Sequence, residues 1–342
     1  GTGYNHSVTM GRSRNVWGPY EPDPNGPLVT SQPKDSNERA DDDHLKPRYF
    51  NPDSVLQKSG HGSYVDLPNG ETYLVHLTSR PFVPELRCTL GRETAIQKMQ
   101  WTSDGWLRMA DGSNLAKIEV EEPNLPDVPM PEIPNFDDFD GGELGNWYYS
   151  PRQMPSTFAN ATERPGWLRV RGEESLASLN RTSLLTRKLT SVYATVTTKM
   201  EFEPEVYQHS AGLTIYYDNM NNIFLRKYYS QTLGGSAISI VRLENGEKTE
   251  MLDTRVAVED KPIYFRLNIE GRRTWFEWGY DGENWTKIGP DFDTTTFSDE
   301  YCKFGEFTGT MVGIAVTDAS LHEKTADFDF FDYEADETKP VD

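Results

Sequence analysis

Two cysteines in 342 residues, Cys88 and Cys302, are too few and too far apart to make a disulfide framework. Long apolar runs are also missing. None approaches the roughly 18 residues of a membrane-crossing helix, so no membrane partner is expected. Basic charge is the third shortage: 34 Lys and Arg stand against 54 Asp and Glu, a formal net charge of −20. A nucleic-acid binder needs a basic footprint, which this chain lacks. An acidic surface suits a neutral substrate better. Helical periodicity is absent throughout. Residues 1–30 show no basic start followed by an apolar core, the form of a signal peptide. The N-x-S/T sequons at Asn5, Asn160, Asn180 and Asn284 barely exceed chance, so the compartment stays open.

What is abundant is aromatic. Tyr, Phe and Trp make up 12% of the chain, a bias that fits half-buried pleated surfaces. Most such rings serve cores and cross-strand pairs, although Trp and Tyr also suit the C–H face of a pyranose. Residues 1–120 alternate short strand-like runs (7–10, 72–77 and 95–101) with the turn signals Pro68-Asn69-Gly70, Asp104-Gly105 and Asp111-Gly112. The polar stretch from Thr30 to Asn51 reads as a long surface loop. Five prolines in residues 121–135 predict an extended connector and the clearest domain boundary. Beyond it, strands over 194–202, 211–217, 263–269 and 274–278 are punctuated by Glu244-Asn245-Gly246-Glu247 and Tyr280-Asp281-Gly282. That pattern fits a two-sheet sandwich. The run Ala326-Asp327-Phe328-Asp329-Phe330-Phe331-Asp332-Tyr333 predicts one strand with aromatics inward and carboxylates outward.

Three polar runs stand out near the start: Gly1-Thr2-Gly3-Tyr4-Asn5-His6-Ser7-Val8-Thr9, Gly60-His61-Gly62-Ser63-Tyr64 and Leu90-Gly91-Arg92-Glu93-Thr94-Ala95-Ile96-Gln97, with Gly18-Pro19-Tyr20-Glu21 between the first two. Each alone is a turn or strand edge. In this order the chain resembles the later part of a glycoside hydrolase family 43 β-xylosidase or α-L-arabinofuranosidase. Phe136-Asp137-Asp138-Phe139-Asp140, Glu163-Arg164-Pro165-Gly166-Trp167-Leu168-Arg169, Ala211-Gly212-Leu213 and Phe307-Thr308-Gly309 extend the resemblance over nearly the whole length. The fold it implies is all-β: an incomplete five-bladed β-propeller over 1–120, a connector over 121–135, a concanavalin A-like two-sheet β-sandwich over 136–335 and a tail over 336–342.

The resemblance further implies an inverting exo-glycosidase that removes xylose from β-1,4-xylo-oligosaccharides, with arabinoxylan-derived arabinofuranosides as the neighbouring substrate. Such chemistry needs a general base and a general acid roughly 6.5–9.5 Å apart. The family's carboxylate positions fall before Gly1, so no catalytic residue is assigned here, and the missing N-terminal blades are an expected partner. What carries over is the supporting shell. His61 matches the axial histidine, expected to hold a water network or a central calcium, with its flanking glycines supplying unusual backbone angles. A lone histidine is otherwise a turn or packing residue. Arg92 matches an arginine that reaches sugar hydroxyls; the plain alternative is pairing with Glu93. Phe307 matches an aromatic that closes the pocket, or is an ordinary core ring. Thr2 matches a pocket-lining position, or is a strand-edge threonine. Assembly into a homo-oligomer is compatible with the sequence. The contrasting expectation is a non-catalytic carbohydrate-binding protein whose sandwich holds a glycan in its own groove.

Overall fold

The structure, a computed structural model, describes residues 4–32, 50–303 and 308–341. Its elements are strands, apart from two single-turn 3-10 helices at Pro155–Thr157 and Thr294–Thr296. No helix among the described residues is long and apolar enough to cross a membrane. The chain divides into two compact units, Gly1–Met130 and Pro131–Asp342.

In the first unit the short strands β1 (Ser7–Val8), β2 (Gly11–Arg12), β3 (Glu21–Pro22) and β4 (Val29–Thr30) form the pairs β1–β4 and β2–β3. They are followed by β5 (Gln57–Asp66), β6 (Thr72–Ser79), β7 (Glu93–Trp101) and β8 (Leu107–Met109), a four-stranded antiparallel sheet in chain order. This meander is the form of one propeller blade. Its turns fall where the sequence placed them: Gly70 and Gly105 have φ of 88° and 79°, the left-handed region glycine enters without strain. A core of Val8, Leu28, Val29, Leu56, Leu74 and Met99 joins the β1–β4 pair to the sheet.

The start of the proline-rich connector is tied to this unit. Glu121 accepts a hydrogen bond from Tyr73 and an ion pair from Lys98, and the Asn124 N–H donates to Glu71. Exposure then rises: Val128 and Met130 are 74% and 82% accessible, so the untethered stretch begins later than composition alone indicates.

The second unit is a two-layer sandwich. Its strands are β9 (Phe136–Asp137), β10 (Ala159–Arg164), β11 (Trp167–Arg171), β12 (Ser183–Lys188), β13 (Tyr193–Glu201), β14 (His209–Asp218), β15 (Asn221–Ser230), β16 (Gly235–Glu244), β17 (Glu247–Ala257), β18 (Ile263–Glu270), β19 (Arg273–Gly279), β20 (Thr286–Asp293), β21 (Met311–Asp318) and β22 (Thr325–Ala335). One sheet runs β10-β11-β22-β13-β18-β19-β20, with β9 on β22; the other runs β12-β21-β14-β15-β16-β17. Asn245 and Gly246 both take positive φ in the two-residue β16–β17 turn, which matches strand twist. Alternation places Val196, Phe265, Leu267 and Phe276 in the core and Thr195, Arg266, Asn268 and Glu277 on the opposite face.

The last strand departs from strict alternation. Its pairing with β13 slips between Lys199 and Met200, so Asp329 is the extra residue of a bulge. The bulge resets the phase. Phe328, Phe331 and Tyr333 are buried, while Phe330 turns outward and stacks on Phe136 with centroids 5.3 Å apart.

The β21–β22 loop is organised around the Asp318 carboxylate. It accepts from the backbone N–H groups of Ser320, Leu321, Glu323 and Lys324 and from the Ser320 hydroxyl. Burial alone would raise its pKa, but these donors outweigh burial and hold it well below the usual carboxylate range. A depressed folded pKa gives stability that is complete above the unfolded value near about 4 and is lost as pH falls through the folded one. Asp318→Asn should therefore cost about 2–4 kcal/mol at neutral pH, because an amide N–H₂ would face backbone donors. Chemical denaturation across pH should show the gap from wild type closing only in strong acid.

Candidate functional site: a groove on the four-stranded sheet

Strand β5 is irregular where the Gly-His-Gly run sits. Pairing with β6 slips between Gln57 and Gly60 and again between Gly60 and Ser63. His61 itself has φ of 49°, a left-handed conformation uncommon for a side-chain-bearing residue. The expectation that the flanking glycines supply the unusual angles is corrected here, since neither has positive φ. They are needed for close approach instead. A Cβ on Gly60 would lie 2.5 Å from the His6 ring, and one on Gly62 would lie 2.9 Å from Val8 Cγ2. The β1 segment thus packs directly behind His61. Gly60→Ala should lower stability by about 1–3 kcal/mol through overpacking, measured as a lower denaturation midpoint at unchanged slope.

Arg92 is set by the turn before β7. Gly91 has φ of 70°, its N–H donates to Cys88 O at 3.0 Å, and its carbonyl accepts from the Ser79 hydroxyl at 2.8 Å. The neighbouring Glu93 pairs with Arg80, which donates from Nη2 at 2.7 Å and from Nε at 3.1 Å. His61 and Arg92 come together on a groove of about 300 Å³ that is also lined by Ser63, His76, Glu93 and Thr94. Residues 31 positions apart in sequence therefore share one concave surface, which the sequence did not show by itself.

Two further histidines back this surface. His76 is buried; its Nδ1 donates to Leu77 O at 2.9 Å and its Nε2 accepts from the Gln97 amide at 3.2 Å. Gln97 is oriented by the Lys117 backbone, accepting from its N–H and donating to its carbonyl. Burial lowers the His76 pKa, so the ring stays neutral. Burial is the main cause that lowers the His6 pKa, with smaller contributions from the positive charge of His61 and Arg92. The first residue run contained His6 in plain view. The signal that it mattered was the Gly-His-Gly spacing, which calls for something close behind the strand.

The groove sets the Arg92 guanidinium, the His61 imidazole and the Ser63 and Thr94 hydroxyls around an apolar patch of Val75 and Leu77, a mixed surface that can meet both the hydroxyls and the C–H face of a sugar. Among the described residues lining it, Glu93 alone carries a carboxylate, and Arg80 holds it in a bidentate pair. That leaves no acid–base pair in the groove. A calcium site fits poorly as well. Calcium takes six to eight oxygen ligands, whereas both His76 nitrogens and the Glu93 carboxylate are engaged. No cluster of three metal-ligating side chains occurs among the described residues. Thr2, Phe307 and positions 33–49 of the expected loop lie outside the described residues. Both cysteines are buried and neither forms a disulfide.

Comparison with known proteins accounts for most of the chain. Residues 136–334 match the model described as the β-xylosidase C-terminal concanavalin A-like domain, and residues 1–107 match glycosyl hydrolases family 43. This chain belongs to glycoside hydrolase family 43, in the group that carries that C-terminal sandwich. A xylan 1,3-β-xylosidase from a Vibrio species is 33% identical over 97% of the chain and 61% of its own length. A xylosidase/arabinosidase 43B of Humicola insolens is 35% identical over 97% of the chain and 60% of its own. The crystal structure of xylan β-1,4-xylosidase from Bacillus halodurans C-125 superposes with a TM-score of 0.88 at 40% identity, covering 98% of this chain and 61% of that one. The chain thus spans about three-fifths of these relatives, matching a C-terminal part.

Proposed function

We propose that this chain is the C-terminal part of an inverting exo-glycosidase that releases xylose from β-1,4-xylo-oligosaccharides, and that the groove of His61 and Arg92 orients the sugar. The observation that carries the reading is their meeting on one groove in a family 43 chain. Arg92 would donate to adjacent hydroxyls through its planar fork, and His61 would hold the sugar or its water from the opposite strand. The acid and base would come from the family's remaining portion, since the groove's one carboxylate is committed to Arg80. Thr2 and Phe307 are proposed to line and close the same pocket. A calcium near His61 would need its ligands from water or from that remaining portion.

Arabinofuranoside cleavage is a second reading, favoured by the double name of the Humicola relative. A ratio of kcat/KM values decides between them. With the chain completed by the family's acid–base portion, aryl β-xylopyranoside should be hydrolysed at least about tenfold faster than aryl α-arabinofuranoside, a difference of about 1.4 kcal/mol in transition-state binding. A ratio reversed in favour of the arabinofuranoside would replace xylose as the substrate.

A further inference from the structure

The outer face of the larger sandwich sheet carries a second groove, unrelated to the one above. Cross-strand register aligns Glu334 on β22, Thr195 on β13, Asn268 on β18 and Trp275 on β19 in one row. The row forms the floor of an open groove of about 520 Å³. Three interstrand spacings carry it across about 14 Å, room for a short oligosaccharide.

The polar groups of this row are only partly used. Asn268 Nδ2 donates to Glu277 at 3.0 Å, which fixes the amide. Its oxygen, the Thr195 hydroxyl and the Glu334 carboxylate have no hydrogen-bond partner among the described residues. Trp275 is held at the edge: its indole N–H donates to Glu277 at 3.2 Å, and Arg273 lies against its ring at 4.4 Å. Tyr193, also in the groove, likewise carries Lys339 against its ring at 4.7 Å, so both aromatic rings of the groove have a cation on one face. At the rim Glu270 pairs with Arg273 at 2.7 Å and Asp336 with Lys339 at 3.5 Å, which cancels most of the local charge and suits a neutral ligand.

We infer that this groove is a second glycan-binding site, accepting a neutral oligosaccharide of two or three units. An aromatic wall beside a fixed amide, a hydroxyl and a carboxylate matches vicinal hydroxyls on one edge of a sugar ring and C–H bonds on its face. Choosing xylan-type chains as the natural ligand rests on the proposed function; the site itself does not.

Isothermal titration of the full 342-residue chain with xylohexaose and cellohexaose tests this. Wild type should bind at least one of the two. Thr195→Arg, which fills the floor, should abolish that binding, and Glu334→Ala at the exposed rim should weaken it about tenfold. With the other groove disabled by Arg92→Ala, the binding that remains should still be lost on adding Thr195→Arg, which separates this site from the other groove. Absence of binding to both sugars would overturn the inference. So would binding that survives Thr195→Arg in a variant with native circular dichroism.

Discussion

The 342-residue chain by itself should release no detectable nitrophenol from 4-nitrophenyl β-xyloside or α-arabinofuranoside, while the same chain completed by the family's acid–base portion should turn over readily. The reason lies in the groove. Inverting hydrolysis requires two carboxyl groups roughly 6.5–9.5 Å apart, one to activate water and one to protonate the leaving oxygen. Among the described residues lining the groove there is one carboxylate, and Arg80 holds it through three contacts of 2.7–3.1 Å. Each proton-transfer group contributes roughly 10²–10⁴-fold in rate, so lacking both should cost at least about 10⁴. Turnover by the chain alone above a heat-inactivated control, abolished by Glu93→Gln, would mean that Glu93 acts despite Arg80.

Arg92→Ala in the completed enzyme should lower kcat/KM by about 2–4 kcal/mol, roughly 30- to 1000-fold, without a matching loss of stability. Charge-assisted donors to hydroxyls beside the reacting carbon strengthen as positive charge and ring distortion develop there, so the loss should fall on kcat as well as KM. The side chain projects from a turn whose geometry is set by the backbone of Gly91 and Cys88 and by the Ser79 hydroxyl. Truncation should therefore leave the turn standing. Arg92→Lys should recover little, because an ammonium cannot reproduce the planar fork. A kcat/KM equal to wild type would place Arg92 outside the sugar's reach.

The sequence carried most of the sandwich because strands such as β18 bury one face and expose the other. In β13, β18 and β19, buried and accessible residues alternate, and the period of two is visible in Ile263-Tyr264-Phe265-Arg266-Leu267-Asn268-Ile269. Strand β14 hides more. Nine of its ten residues are buried, Thr214 among them, so hydrophobic alternation fades there. In the final strand, Phe330-Phe331 already broke the alternation, but only register with Lys199 and Met200 locates the extra residue at Asp329. The groove was legible in part. His61 and Arg92 could be picked out as residues, whereas their meeting depends on pairing between β5, β6 and β7. The Arg80–Glu93 pair depends on the turn between β6 and β7, which sequence does not show; it takes up the Glu93 carboxylate that adjacency offers to Arg92 as the plain alternative.

The central claim is that His61 and Arg92 form the sugar-orienting wall of a glycosidase pocket. A crystal structure of the completed enzyme soaked with xylose tests it most directly. The account predicts the sugar in the groove between β5 and β7, with Arg92 nitrogens about 2.7–3.2 Å from its hydroxyls and His61 against the same ring. Xylose bound at the acid and base, with Arg92 and His61 both beyond hydrogen-bond and single-water reach, would contradict it.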